Sequence, residues 1–208
     1  MSSIFITFEG GEGSGKSTQI HRLAAQLKEQ GRDVLITREP GGTAEAEAIR
    51  TLLVSGDVAR WTAKSEALLN YAAREQHLEQ VIRPALAGGK TVLCDRFMDS
   101  TRAYQGYAGG CDLGFIDALE KAIVGITRPD LTLVFDLNPA IGLARARSRG
   151  DAHAEDRYER KGLAFHQQLR EGFLDILRKE PKRCRLVDAA QDIEAVAEDV
   201  WSIVKGAL

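Results

Sequence analysis

The sequence predicts a doubly wound α/β domain, a five-stranded parallel sheet with helices on both faces, and three observations predict it. Short apolar runs recur five times along the 208 residues. Stretches with apolar residues at helical spacing separate them, so strand and helix alternate almost throughout. A glycine-rich turn stands directly between the first apolar run and the first helical stretch.

Ile4, Phe5, Ile6 and Phe8 form the first run, which reads as a buried parallel strand. From Lys16 the period changes: Ile20, Leu23, Ala24 and Leu27 repeat at helical spacing until Gly31. Val34 to Thr37 is the second strand, and Glu39-Pro40-Gly41-Gly42 a turn. The next helix is expected to bury Ala48, Ile49, Leu52 and Leu53. A longer helix spans roughly Lys64 to Ala87 and ends at Gly88-Gly89. Thr91 to Cys94, Leu131 to Leu137 and Cys184 to Val187 are the remaining strands. The arginine-rich stretch from Arg145 to Arg160 reads as a mobile segment between two helices rather than a boundary, so residues 1–208 are expected to form one domain.

Composition excludes more than it assigns. A net charge of −2 gives no global attraction to nucleic acid or to an anionic membrane, and no aromatic-basic stripe suggests nucleic-acid binding. No apolar run approaches the length of a membrane span, and the N-terminus lacks the features of a signal peptide. Cys94, Cys111 and Cys184 are widely spaced and read as reduced thiols, which makes the cytoplasm the default compartment. His21, His77, His153 and His166 have no metal spacing and read as surface or packing residues.

Gly10-Gly11-Glu12-Gly13-Ser14-Gly15-Lys16-Ser17 matches G-x-x-x-x-G-K-[ST], the loop that cradles nucleotide phosphates. Glycines let backbone amides turn inwards, and the following helix adds its unpaired N–H groups and positive dipole end. Lys16 would reach the β- and γ-phosphates and Ser17 would ligate Mg²⁺, with Thr18 completing the ATP-binding stretch. Asp95 ends a buried strand, where ligands of open α/β sheets bind, and is a second candidate for Mg²⁺. Arg96 beside it can clamp a phosphate. Two classes of function follow: a small-molecule kinase, or a nucleotide-hydrolysing switch or motor. The Asn-Lys-x-Asp of guanine-nucleotide switches and the Ser-Gly-Gly-type signature of transporter ATPases are both absent, whereas Arg38, Arg74, Arg96 and the 145–160 arginines supply the charge that phosphoryl transfer needs.

Phe8-Glu9-Gly10 before the loop, Thr37-Arg38-Glu39-Pro40-Gly41-Gly42-Thr43, Tyr71-Ala72-Ala73-Arg74, Asp95-Arg96-Phe97, Ser100-Thr101, Ala103-Tyr104-Gln105-Gly106 and Arg128-Pro129-Asp130-Leu131 follow one another in order. Together they resemble the bacterial-type thymidylate kinases over nearly the whole chain. The resemblance implies the P-loop nucleoside monophosphate kinase fold with a lid, and transfer of the ATP γ-phosphoryl group to thymidine monophosphate (dTMP). The runner-up is a kinase for another nucleoside monophosphate.

The resemblance also implies roles. Glu12 would face the acceptor sugar. Arg38 and Arg96 would bind the acceptor phosphate or bridge both substrates. Arg74 would bond the thymine edge, Thr101 the base, and Tyr104 would crowd the sugar 2′ position. Gln105 would lie beside the nucleoside. Pro40 would border the acceptor after a cis bond to Glu39. Arg149, and next Arg157, would close from the lid onto the γ-phosphate, making Lys16, Arg96, Arg149 and Arg157 the catalytic cations. A homodimer packed through helices is implied as well. Two departures stand out. Asn70 occupies the position of the usual phenylalanine that stacks on thymine, so the stacking would be weaker or would pass to a neighbour such as Tyr71. The segment from Gly150 to Arg157 is a few residues longer than usual.

Overall fold

The computed structural model describes residues 2–148 and 156–208. Five strands, β1 (Ile4–Gly10), β2 (Val34–Arg38), β3 (Thr91–Asp95), β4 (Leu131–Asp136) and β5 (Cys184–Asp188), form one sheet in the order β2-β3-β1-β4-β5. Every pairing is parallel; Phe8 of β1 lies opposite Asp95 of β3 and Leu133 of β4. The central strand β1 is buried along its whole length, which is why its sequence is an apolar run without a solvent-facing phase.

The helices are α1 (Lys16–Glu29), α2 (Ala44–Val54), α3 (Ala63–His77), α4 (Arg83–Ala87), α5 (Met98–Thr101), α6 (Leu113–Ile123), α7 (Pro139–Ser148), α8 (Leu163–Lys179) and α9 (Ile193–Lys205). Alternation along β1 divides the core. Ile4, Ile6 and Phe8 pack with Leu23 and Leu27 of α1 and Val200 of α9. Phe5 points the other way, into a cluster with Tyr71, Ile82, Val92 and Phe97. Local signals fix the helix starts: Thr43, Thr62, Asp112 and Asp192 accept backbone N–H bonds as N-caps of α2, α3, α6 and α9.

Three sequence expectations need correction. Helix α2 buries Ala46, Leu53 and Val54, whereas Ala48 and Leu52 are exposed. The periodic apolar face was placed one step out of phase because α2 touches the rest of the molecule mainly through α3. The long helix is helical to Ala87, but Leu78–Ile82 widens to a π-helical turn that joins α3 to α4. The arginine-rich stretch is not one mobile segment. Arg145 and Arg147 belong to α7, and Arg157 is fully buried.

Arg157 is held at every nitrogen. Its Nε, Nη1 and Nη2 donate to the carbonyls of Asp57, Leu53 and Val58 at 2.9, 3.0 and 3.0 Å, and Nη2 also meets Glu66 Oε1 at 2.5 Å. This arginine therefore ties the 156–161 stretch to the α2–α3 connection and is not available to approach a γ-phosphate in this conformation. Arg149 lies outside the described residues. Replacing Arg157 with alanine leaves three carbonyls without their donor and removes the closer of the two cations beside the buried Glu66 carboxylate, and should cost about 3–5 kcal/mol. Urea unfolding of Arg157→Ala measures this; a loss below about 1 kcal/mol would mean that water replaces the clamp.

Candidate active site

The carboxyl ends of β1, β2 and β3 open onto two adjoining cavities, at the point where the strand order reverses about β1. The first is built by the phosphate loop. Gly10 ends β1, and α1 begins after Gly15 in a left-handed conformation (φ 84°) without a side-chain cap. Its first N–H groups are thereby left for an anion. The loop lies close against α7: a Cβ on Gly13 would collide with the Gly142 carbonyl, and one on Gly142 with that of Glu12. Only glycine fits at either contact, so the β4–α7 unit presses the loop into shape.

Gly13, Ser14, Gly15, Lys16, Ser17 and Thr18 line this cavity together with Arg38, Asp95 and Arg96. Lys16 Nζ donates to the carbonyls of Gly10 and Gly11 at 3.2 and 2.9 Å and to Ser14 Oγ at 3.2 Å. Burial, then the nearby Arg96, pulls its ammonium down to about 8 against the opposing pull of Asp95, Glu12 and Glu9. Ser17 Oγ donates to Asp95 Oδ2 at 2.9 Å, and Asp95 Oδ1 is buried with no partner among the described residues. A hydroxyl oxygen beside an unsatisfied carboxylate oxygen fits a hard cation such as Mg²⁺.

The second cavity encloses about 120 Å³ and opens to solvent beside the first. Pro40, Asn70, Arg74, Thr101, Tyr104 and Gln105 all line it, together with Phe97 and Tyr158. The Glu39–Pro40 bond is cis, as the resemblance implied. Arg74 is buried between the rings of Tyr71 and Phe97, its guanidinium 4.5 and 5.1 Å from their centres. Its Nε donates to Glu39 at 2.7 Å, and its Nη2 to the Phe97 carbonyl and Thr101 Oγ1 at 3.0 and 3.1 Å. Glu39 is held in turn by His77, which also meets Thr37 Oγ1 at 2.6 Å. Arg74 Nη1 alone of these nitrogens is buried without a partner among the described residues. Tyr71 lies in the core and does not line the cavity, so it does not take the place of the missing stacking ring. Asn70 instead donates to the Glu66 carbonyl at 2.8 Å.

Glu12 and Arg96 stand where the cavities meet. Arg96 Nη2 donates to Glu12 Oε1 at 3.0 Å, and Tyr104 donates to the same oxygen at 2.6 Å. Burial would push the Glu12 carboxyl up; Arg96, Lys16 and the Tyr104 hydroxyl outweigh it and bring the group down to about 2. Arg38 is more exposed and pairs with Glu47 at 3.1 Å.

Sequence reasoning missed two residues here. Arg50 of α2 borders both cavities and donates to the Pro40 carbonyl at 3.0 Å; a helix arginine carries no local sign of such a position. Glu9 did carry a sign, a charge inside an apolar strand. Its carboxylate accepts the N–H groups of Phe97 and Ser100 at 2.8 and 3.2 Å and the Ser100 hydroxyl at 2.5 Å. It thereby holds the turn in which Arg96 adopts φ 66°, a left-handed conformation unusual for a residue with a long side chain. Burial, and then Asp99, raises Glu9 to about 7.

The thymidylate kinase family model matches residues 8–200. Among curated relatives, the thymidylate kinase of Caulobacter vibrioides is 56% identical over 200 residues, covering 96% of this chain and 95% of that one. That of Afipia carboxidovorans is 52% identical over 201 residues, covering 97% and 88%. The crystal structure of thymidylate kinase from Ehrlichia chaffeensis superposes with a TM-score of 0.78 at 36% identity, over 98% of this chain and 99% of that one. Near-complete coverage at this identity, on a sheet and phosphate loop of this geometry, places the chain in the thymidylate kinase family.

Proposed function

We propose that this chain transfers the γ-phosphoryl group of ATP to dTMP, releasing thymidine diphosphate and ADP. The observation that carries the acceptor assignment is Arg74 Nη1, a buried donor without a partner on a residue that lines the second cavity. A donor at the base edge suits the exocyclic carbonyl of thymine and opposes the amino group that cytosine carries there. Thr101 and Gln105 flank it, and Tyr104 faces the sugar.

ATP takes the phosphate-loop cavity. The contacts that Lys16 makes to Gly10, Gly11 and Ser14 are exchanged for phosphate oxygens, and the N–H groups at the start of α1 complete the cradle. Ser17 and Asp95 would hold Mg²⁺, which would screen the phosphate charge. Arg96 lies between the two sites and Arg38 and Arg50 border them, so the acceptor phosphate meets cations where it must approach the γ-phosphorus. An acceptor phosphate oxygen forms the new P–O bond as the bond to the β-phosphate bridging oxygen breaks, in line and without a covalent enzyme intermediate. The chain's part is positioning and charge.

Two coarser expectations fit this reading. No helix among the described residues is long and apolar enough to cross a membrane, and the three cysteines are unpaired, which suits the cytoplasm. Leu52, Leu68 and Leu113 are exposed on α2, α3 and α6, apolar side chains that helix packing in a homodimer would cover.

ADP release from Mg·ATP with each nucleoside monophosphate in turn tests the assignment: dTMP should accelerate turnover selectively, and preference for another monophosphate, or for none, overturns it. Arg74→Lys retains a cation for Glu39 and loses the planar fork. It should raise the KM for dTMP about tenfold or more with the KM for ATP unchanged; equal effects on both would place Arg74 outside the acceptor site. Asn70→Phe restores a stacking face and should tighten dTMP binding by about 1–3 kcal/mol in calorimetry. A weaker complex would show a pocket built around asparagine.

Lys16 gives a pH signature. Its ammonium is depressed from 10.5 to about 8 in the ligand-free enzyme, so the charged form prevails below that pH and is lost above it. The kcat/KM for ATP, which reports the free enzyme, should fall as pH rises through about 8. A profile that stays flat to pH 10 would show that burial does not depress this ammonium in the free enzyme.

A further inference from the structure

Glu66 lies in the first turn of α3, fully buried, and lines neither cavity. It nevertheless gathers four side chains from distant parts of the chain. Oε1 accepts from Arg157 Nη2 at 2.5 Å and from Lys161 Nζ at 3.3 Å. Oε2 accepts from Gln105 Nε2 at 2.8 Å and from the Tyr158 hydroxyl at 3.1 Å. Its backbone carbonyl receives the Asn70 amide. Gln105, Asn70 and Tyr158 all line the acceptor cavity, so the buried carboxylate stands behind two pieces of its wall and the Glu66 backbone carbonyl behind a third.

The chemistry of this node constrains Gln105. A primary amide offers donors at one end and an acceptor at the other, and a buried glutamine side chain can in general take either orientation. An ionised carboxylate only accepts, so it requires the NH₂ end of Gln105. The carbonyl oxygen is then the end left for another partner. Arg157 and Lys161 offset the charge that makes Glu66 acceptor-only, and the three backbone carbonyls that Arg157 binds fix its place. A neutral residue of the same shape would not impose this polarity, because its own amide could donate to Gln105 as readily as accept.

We infer that Glu66 is a positioning residue for base selection: it fixes the Gln105 amide so that its carbonyl serves the acceptor nucleotide, favouring a base with a ring N–H. The inference rests on the acceptor pocket proposed above. Thymine's imide N–H donates where the corresponding ring nitrogen of cytosine accepts. A fixed carbonyl therefore adds a second discrimination to that of Arg74, and Glu66 exerts it without touching the substrate. The longest-range consequence is that the 156–161 stretch, through Arg157 and Lys161, helps to set which base the pocket takes.

Steady-state kinetics of Glu66→Gln test this. The ratio of kcat/KM for dTMP to that for deoxycytidine monophosphate should fall about tenfold or more, with the KM for ATP within twofold of the unmodified enzyme. In a double-mutant cycle with Gln105→Ala, the two losses of selectivity should fail to add, because the first acts through the second. A folded Glu66→Gln enzyme with unchanged selectivity, or one that loses ATP and dTMP affinity alike, overturns the inference, as do strictly additive losses. If circular dichroism shows that Glu66→Gln does not fold, Glu66→Asp carries the same test: it keeps the charge for Arg157 but withdraws the carboxylate from Gln105 by one methylene. Failure of the two readings looks different. A dTMP-selective parent enzyme with a silent Glu66 variant rejects this inference alone, whereas a parent that prefers another monophosphate rejects the acceptor assignment and this inference with it.

Discussion

The left-handed turn at Arg96 is the constraint on which the site depends. β3 ends at Asp95, and the chain must reverse within one residue to bring Arg96 back over β1. The backbone does so at φ 66°, with the Arg96 N–H bonded to the Phe8 carbonyl at 2.9 Å. Arginine adopts this conformation at a cost of about 1–3 kcal/mol, so surrounding contacts must enforce it. Glu9 does so from beneath, through Phe97 and Ser100. From above, Nη1 is tied to the Gly10 carbonyl and Nη2 to Glu12. The turn also leads into α5, which carries Thr101. Both cavities therefore take their shape from one strained residue, and the guanidinium between them is placed by the backbone rather than by its own flexible stem.

Around that turn the protein buries an unusual amount of charge. Glu39 with Arg74 and His77, Asp99 with Arg183, and Glu66 with Arg157 are each enclosed with most of their hydrogen-bonding capacity satisfied. Such pairs are poor sources of stability, because the desolvation of both ions offsets most of their attraction. Their effect is on geometry. A guanidinium held by several acceptors in fixed directions has no rotamer freedom left, and what remains unpaired on it points where the scaffold dictates. Arg74 is the clearest case: its Nε and Nη2 are taken by three internal acceptors, and Nη1 is left buried without a partner among the described residues. Preorganisation of this kind lowers the cost of ordering when a ligand binds.

The sequence was most informative where a local rule has a local cause. The apolar run of β1, the glycine loop and the change to helical period at Lys16 each follow from contacts within a few residues, and the strands lie where they were expected. Arg38, Arg74, Arg96, Thr101, Tyr104 and Gln105 were found through ordered motifs, and all border the two cavities. What was not legible depends on contacts distant in sequence. Arg50 and Glu66 are ordinary helix residues until the chain folds. Arg157 looked like a mobile cation because its partners are carbonyls of residues 53, 57 and 58, about a hundred positions away. The face of α2 was misjudged for the same reason, since periodicity gives the existence of an apolar stripe more firmly than its angle. Tyr71 was a reasonable substitute for a stacking ring by type and proximity, but adjacent helix positions are rotated by about 100°, which turns it into the core.

Asn70 then has a physical explanation. A phenylalanine at this position would contribute its ring to a base and nothing to the wall behind it. Asparagine gives up that stacking energy, about 1–3 kcal/mol by comparison with base–aromatic contacts elsewhere. In exchange its amide joins the polar wall through the Glu66 carbonyl. On the proposed reading the base would be selected through directed hydrogen bonds with Arg74, Thr101 and Gln105, while Phe97, Tyr104 and Tyr158 supply ring surface to the pocket. Stacking is tolerant of base identity because every base has a π-face, whereas a buried donor or acceptor left unmatched carries a steep penalty. A pocket that shifts weight from the first kind of contact to the second loses affinity and keeps selectivity. That is a workable compromise for an enzyme that must release its product after each turnover.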